Sequence, residues 1–544
     1  MAWVRRVRTS TGATAVQVVR SVKGTREILV HVGSAHDEVE LGVLMDRARD
    51  VLAEVEAQDT LDLGVAVPVV RAEMIPAPQR ALFPGSVKRP RNSLVAPAGV
   101  LVTFSDLLYG VIGGVYDELG FGVVKDCWFK DLVIAQIVEP TSLLDVDRVL
   151  AEMGQSTACL KTRQRTLGRC VDGGYRDLIA TACFNHASTR GDVSLVLFDV
   201  TTLRTQAEKE DDFRKPGYSK DRSLDPQVVV ALLVDREGFP LEVAGFQGNM
   251  AEKLTLLPVI DSFRARHGIE QMVIAADAGM LSAGNLKALD DAGYRFIVGS
   301  RATKAPIDLE SHFCWHGDFI QDGQIVDTLT PKTGQNRDND PTQAGEPVWD
   351  PDRFPSSWRA IWQYSAKRFV HDNRALDQQQ AKAQAVIDGD TAAHKPRFVQ
   401  KAGGAWRIDK VSLARARRVA GLKGYVTNMP ATIMTSQEVI ASYHDLWHVE
   451  QSFRISKNDL AAAPFFVRKE DSIEAHLTKV FAALAVSRTM QKRTGLSLRR
   501  LLRILRPLRS ATIRINGVIR TLPPAIDTQT QTIIDQLTTG KTRH

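Results

Sequence analysis

Cysteine is sparse in this 544-residue chain: Cys127, Cys159, Cys170, Cys183 and Cys314 are odd in number and share no Cys-x-x-Cys spacing. That excludes a disulfide framework and a zinc ribbon, and makes a reducing cytosol the expected compartment. No apolar run approaches the roughly 20 residues that span a bilayer. The opening Met1-Ala-Trp-Val-Arg-Arg has no apolar signal core, so neither membrane insertion nor secretion is expected. Internal repeats are missing, which excludes a solenoid. Gly110-Val-Ile-Gly-Gly lacks the Gly-Lys-Thr or Gly-Lys-Ser ending of a phosphate loop, so nucleotide hydrolysis is unsupported. What the chain has is ordinary globular composition, 44% hydrophobic and 24% charged, enough for several folded domains.

Acidic residues are also missing from one long stretch. Between Arg488 and Arg520 stand ten cations (Arg488, Lys492, Arg493, Arg499, Arg500, Arg503, Arg506, Arg509, Arg514 and Arg520) and no acid. From Gln451 to His544 there are 17 Lys and Arg against 6 Asp and Glu, a net +11; the whole chain is +7, so the first 450 residues carry −4. A basic excess confined to one end suits a polyanion, with nucleic acid foremost. A solvated or membrane-surface helix is the competing reading, since Leu498, Leu501, Leu502 and Leu505 form an apolar stripe opposite Arg499, Arg503 and Arg506.

The periodicities divide the chain. Residues 1–75 read as a β-rich module, with strands over Ala2–Arg8, Ala15–Val22 and Glu27–Val32 and a helix from about Glu38 to Glu56. Residues 76–100, with Pro76, Pro78, Pro84, Pro90 and Pro97, read as a linker. Residues 101–190 read as a helical domain, with DNA binding as the role expected of it. Strands are then expected over Val193–Val200, Gln227–Val234 and Leu241–Phe246, followed by helix Ala251–His267, strand Met272–Ala276, helix Ala283–Ala292 and strand Tyr294–Val298. That order is the one of an α/β, ribonuclease H-like core spanning 191–300 and 425–490. Residues 301–424 read as a β-rich insertion domain, Ser436–Lys457 as one helix, and 491–544 as a basic C-terminal tail.

Asp199 ends the apolar run Leu195-Val-Leu-Phe-Asp, and Asp277 ends Met272-Val-Ile-Ala-Ala-Asp. An ionised carboxylate there is costly unless a metal, a cation or hydrogen bonds offset it. A third acid, Glu450, lies within Tyr443-His-Asp-Leu-Trp-His-Val-Glu. Taken singly, each has a bland reading as a cap or ion pair; divalent metal is the usual reason to gather three.

Together, Asp199, Asp277 and Glu450 resemble the acidic triad of bacterial DDE insertion-sequence transposases. The glutamate helix of that family carries Tyr-x2-Arg-x3-Glu-x6-Lys, matched here at Tyr443, Glu450 and Lys457, with Leu446 in place of the arginine. Further stretches resemble the branch whose core is interrupted by an insertion: Phe198-Asp-Val-Thr-Thr-Leu, Gly217-Tyr-Ser-Lys220-Asp, Gly248-Asn-Met-Ala-Glu and Ala276-Asp-Ala-Gly-Met-Leu. The spacing agrees, with 78 residues between the aspartates and 173 before the glutamate.

The resemblance implies two Mg2+ ions, replaceable by Mn2+, held by the triad for attack on a DNA phosphodiester. It implies DNA contacts from Tyr443, Lys457 and Lys220, with Arg454 standing in for the missing arginine and Arg499, Arg500, Arg503 and Arg506 serving from the tail. The implied partners are double-stranded DNA, as element ends and target, and a second copy of the chain in the DNA complex. The implied setting is the bacterial cytoplasm, at the nucleoid. A DNA-binding descendant that no longer cleaves, and a ribonuclease H-like nuclease without strand transfer, are the alternatives.

Two other constellations compete. His444 and His448 stand at i and i+4, but there is no His-Glu-x-x-His order and no third ligand in sequence, so a zinc site is not expected there. The insertion holds five of the eight tryptophans, Trp315, Trp349, Trp358, Trp362 and Trp406. Most are expected in the core; the resemblance implies that an aromatic there could stack on a base.

Overall fold

A computed structural model describes residues 2–8, 14–22, 25–35, 44–45, 48, 51–52, 99–191, 193–205, 210–217, 225–269, 271–277, 283–334, 338–340, 342, 344–390, 397–402, 405–463, 469–515 and 518–538. The chain divides into two compact units, Met1–Asn92 and Ser93–His544. The expected linker and Lys220 lie outside the described residues, as does most of the expected helix 38–56.

In the first unit β1 (Ala2–Arg8), β2 (Thr14–Val22) and β3 (Thr25–Ala35) form an antiparallel meander. Burial on β2 comes in the pairs Ala15-Val16 and Val18-Val19, where the pairing with β3 shifts register, and Val16, Val18 and Ala48 share a small core.

In the second unit, β4 (Gly99–Phe104) precedes helix Asp106–Glu118. Gly110–Gly114 lies inside that helix rather than in a loop, so the glycines cradle nothing. Helices Cys127–Val138, Val146–Glu152, Leu160–Asp172 and Tyr175–Arg190 follow.

Then come β5 (Leu195–Arg204), β6 (Gln227–Asp235), β7 (Pro240–Gln247), helix Leu256–His267, β8 (Val273–Ala276), helix Ala283–Asp291 and β9 (Arg295–Ser300). β5, β6 and β7 pair antiparallel, whereas β8 and β9 run parallel to β5. The order β9-β8-β5-β6-β7 is the ribonuclease H-like arrangement. β6 is buried along nearly its whole length, which is why it reads as an unbroken apolar run instead of an alternation.

The stretch 301–424 does not hold most of its strands in a sheet of its own. Its β10 (Ile325–Pro331), β11 (Ser357–Tyr364) and β14 (Leu422–Thr427) continue the core sheet beyond β9, giving eight strands in the order β10-β11-β14-β9-β8-β5-β6-β7. It also contributes the 22-residue helix Ala366–Ile387 and a hairpin of β12 (Val399–Ala402) and β13 (Ala405–Ile408). Trp349, Trp358 and Trp362 are core residues, while Trp315 and Trp406 are exposed.

Helix Glu470–Thr494 is buried on almost every side, the mark of a helix enclosed by other elements. Helices Cys127–Val138 and Leu160–Asp172 pack against it, as does β7. The described part of the expected tail is folded too, as helix Leu498–Leu505, β15 (Ser510–Ile515), β16 (Val518–Leu522) and helix Thr528–Thr538. β15 pairs with β4. Leu498, Leu501 and Leu505 are fully buried, each burial contributing about 1.5–3 kcal/mol. Among the described residues, no helix is long and apolar enough to cross a membrane.

Candidate active site

The register of β5 and β8 sets the site. Phe198 lies opposite Ala276 on the parallel neighbour, so the next residues, Asp199 and Asp277, stand level on adjacent strands. Asp199 is half-buried and Asp277, just past the end of β8, is exposed. The Asp199 carboxylate accepts from the Val200 amide at 2.8 Å. Two motif glycines meet at the far end of β5, where a Cβ on Gly248 would come within 1.9 Å of the Gln227 carbonyl oxygen and one on Gly217 within 2.2 Å of the Gly248 carbonyl oxygen. Only glycine permits that approach of backbones.

The expected helix over Ser436–Lys457 is interrupted. It forms as Ser436–His444, a turn at Asp445-Leu446, Trp447–Arg454 and a π-helical turn over Ile455–Asp459. A capping box between Thr435 and Glu438 starts it, and buried Arg359 of β11 fastens that start by donating to the Met434 carbonyl and to Ser436 while pairing with Asp327. At the turn, Asp445 pairs with Arg236 at 2.7 Å, and Leu446 points into the core. Trp447–Arg454 packs against β5 and β6, with Ser452 donating to the Gly238 carbonyl at 2.8 Å.

These anchors bring two signature residues to the aspartate strands. The Tyr443 hydroxyl donates to Asp277 Oδ1 at 2.8 Å. Lys457, within the π turn, donates to Thr201 Oγ1 at 2.5 Å, two residues beyond Asp199 on β5. Such turns concentrate at functional positions. Glu450 and Arg454 are exposed, and among the described residues neither side chain has a hydrogen bond or ion pair. The intrahelical Glu450–Arg454 pair is therefore not formed. The three acids do not draw together to within 4.8 Å as a single preassembled ligand set.

Leu446 is buried in the main core. The position where the signature carries arginine thus faces packed side chains in this chain. Arg499 pairs with Asp459 at 2.7 Å, and Arg506 with Glu139 and Glu152 at 2.6 Å. Two of the four cations expected to meet DNA from the helix Leu498–Leu505 region thus have acidic partners in the protein, though the Arg499 side chain stays 69% exposed, and Arg500 and Arg503 are exposed as well.

β14 adds residues that the sequence did not single out. Lys423 Nζ lies 4.7 Å from the centre of the Tyr443 ring and 5.5 Å from that of Tyr425. Burial lowers its pKa, as does Arg368, while Asp277 opposes the shift. Tyr425 packs edge-on to Tyr443 at 5.1 Å and contacts His444 Nε2 at 3.2 Å. Burial holds His444 and His448 below the usual histidine range, and neither belongs to a metal-ligating group among the described residues. No strand is expected over Lys423-Gly-Tyr-Val, and nothing in the sequence ties it to Asp277.

No curated protein matches the chain in sequence. A solved structure, a cryo-EM piggyBac transposase synaptic complex with hairpin DNA, is similar at 9% identity over 72% of this chain and 70% of that chain, with a TM-score of 0.36. The family described as transposase DDE domain matches residues 190–486, from the start of β5 through most of the buried helix. That match takes in Asp199, Asp277, Glu450 and more than half of the sequence, and the chain belongs to the transposase DDE domain family.

Proposed function

We propose that the protein is a cut-and-paste DNA transposase of a bacterial insertion sequence, binding the terminal inverted repeats, cleaving at the element ends and joining the 3′ ends to target DNA. The observation that carries this reading is the level placement of Asp199 and Asp277 on adjacent parallel strands, with the glutamate helix packed against the same sheet. Asp199, Asp277 and Glu450 are the proposed catalytic acids and the holders of two Mg2+ ions, or Mn2+ in their place. Three carboxylates offer the hard oxygen donors these ions prefer, and the exposed Glu450 has its oxygens available. When bound, the ions supply an activated nucleophile and stabilise the leaving 3′ oxygen.

The remaining roles belong to the chain's own side chains. Tyr443 holds Asp277 in one orientation. Lys457, fixed on Thr201, and Arg454, on exposed surface one turn beyond Glu450, contact the scissile strand; Arg500, Arg503 and Lys220 hold flanking DNA. The helical stretch 101–190 is assigned to end recognition. Two copies assemble on the element ends, acting on nucleoid DNA in the cytoplasm.

The test is incubation of the purified full chain with linear DNA carrying its own element's ends and Mg2+. Cleaved and joined products on a gel are expected. Binding without any product, in Mg2+ or Mn2+, would leave a DNA-binding descendant; cleavage without joining would leave a nuclease.

A further inference from the structure

Helix Glu310–His316 carries His312 and His316 one turn apart on one face. His312 is 3% exposed, whereas His316 reaches solvent. Glu346 approaches from the irregular stretch ahead of Trp349, and its carboxylate meets His312 Nδ1. Ligand atoms of these three side chains lie within 4.8 Å of one another, the one such group of His, Cys, Asp or Glu among the described residues. The two imidazoles stand 5.0 Å apart between ring centres.

The protein by itself leaves this cluster incompletely satisfied. Among the described residues His312 Nε2 is buried without a hydrogen-bond partner while Nδ1 faces Glu346; because the two ring nitrogens point to different sides, an ion on Nε2 gains Glu346 as a ligand only when that carboxylate swings off Nδ1. Native interiors rarely leave such a group alone, and an ion or water is a usual explanation. Orphaned polar atoms recur nearby in the chain, at Asp308 Oδ1, Ser311 Oγ and Asn339 Oδ1.

We propose that His312, His316 and Glu346 bind a divalent transition-metal ion, Zn2+ foremost, at a site separate from the acidic triad. Two imidazoles and one carboxylate form a borderline donor set that suits Zn2+ and disfavours Mg2+, which seeks oxygen. Exposed His316 gives the ion a path of entry and a position open to water. The ion would clip the short helix to the irregular stretch that carries Glu346, two regions about thirty residues apart in the chain. Its role is structural.

The test uses the full chain, stripped with a chelator and titrated with Zn2+ against a competing indicator. One equivalent should bind and raise Tm. His316→Ala should weaken Zn2+ binding by at least about tenfold and abolish the Tm response. Its metal-free Tm should equal that of the wild type, because His316 is exposed and its loss opens no cavity. Co2+ in place of Zn2+ should give visible d–d absorption that His316→Ala loses, and Asp199→Asn should retain the full equivalent. The proposal is overturned if His316→Ala binds Zn2+ as tightly as the wild type, or if Asp199→Asn loses the ion and His316→Ala keeps it.

Discussion

Tyr443 donates its hydroxyl hydrogen bond to Oδ1 of Asp277 across 166 residues of sequence. That bond joins the first position of the helix signature to the second acid of the triad, and it fixes which carboxylate oxygen faces away from the tyrosine. Tyr443→Phe keeps the ring packed against Tyr425 and removes the hydroxyl with its bond to Asp277. The expected result is a several-fold slower cleavage with a higher Mg2+ requirement and normal DNA binding. An unchanged Mg2+ titration would make the hydroxyl a packing feature only.

If the triad holds the ions, Asp199→Asn, Asp277→Asn and Glu450→Gln should each abolish cleavage while leaving end binding largely intact, since the lost charge mainly removes the cation. Mn2+ should replace Mg2+, and Ca2+, larger and less strict in geometry, should support binding without chemistry. Near wild-type cleavage by any one variant would remove that residue from the site.

The burial of Leu446 changes what its replacement should do. An arginine there would put a guanidinium into the main core, at a cost on the order of 2 kcal/mol or more. Leu446→Arg is therefore expected to lower the urea midpoint and to leave cleavage no faster. Arg454 is exposed without a partner among the described residues, so Arg454→Lys should impair cleavage by losing the guanidinium fork while keeping charge, with little change in stability. Faster cleavage by Leu446→Arg in an Arg454→Ala background would return the phosphate contact to position 446.

How much of this was legible in sequence follows from range. The strands from β5 to β9 could be read because each is a local apolar run and their order implies the sheet; the middle placement of Asp199 could not, since the apolar run stops there while β5 continues to Arg204. Lys423 and Tyr425 could not, because their strand joins the core only after the long insertion, and an apolar run does not announce its neighbour. Nor could the fate of the tail arginines be read. The partners of Arg506 lie 367 and 354 residues away and that of Arg499 lies 40 away, so a string of cations in sequence became half ion pairs in the fold. Leu446 looked like a departure from a DNA contact; its burial shows a packing position.

That division predicts unequal effects among the arginines of 499–506. Arg500→Ala with Arg503→Ala should weaken DNA binding and flatten its salt dependence by about 1.8, at about 0.9 for each lost phosphate contact. Arg506→Ala should instead lower stability, because Glu139 and Glu152 both lose a partner. An unchanged salt slope in the double variant would place this helix away from DNA.

Asp308 makes a pH prediction with a defined sign. It is fully buried, with Oδ2 accepting from Trp362 at 3.1 Å and Oδ1 lacking a partner among the described residues. Burial pushes its pKa up to about 7, with Thr330, Trp362 and Lys304 acting in opposition. In the unfolded chain it titrates near 3.8. Between those values the folded state holds a proton that the unfolded state has released, so stability falls as pH rises from about 4 to about 7 and the loss is constant above. Asp308→Asn replaces the acid by a group that is neutral throughout and keeps a carbonyl for Trp362. Its urea midpoint, measured in chelator to leave any bound metal out of the comparison, should differ little in pH response from the wild type near pH 4. It should then gain steadily on the wild type up to about pH 7 and hold that gain at pH 8. A difference that does not change between pH 4 and pH 8 would mean that Asp308 keeps an ordinary carboxylate pKa in the fold.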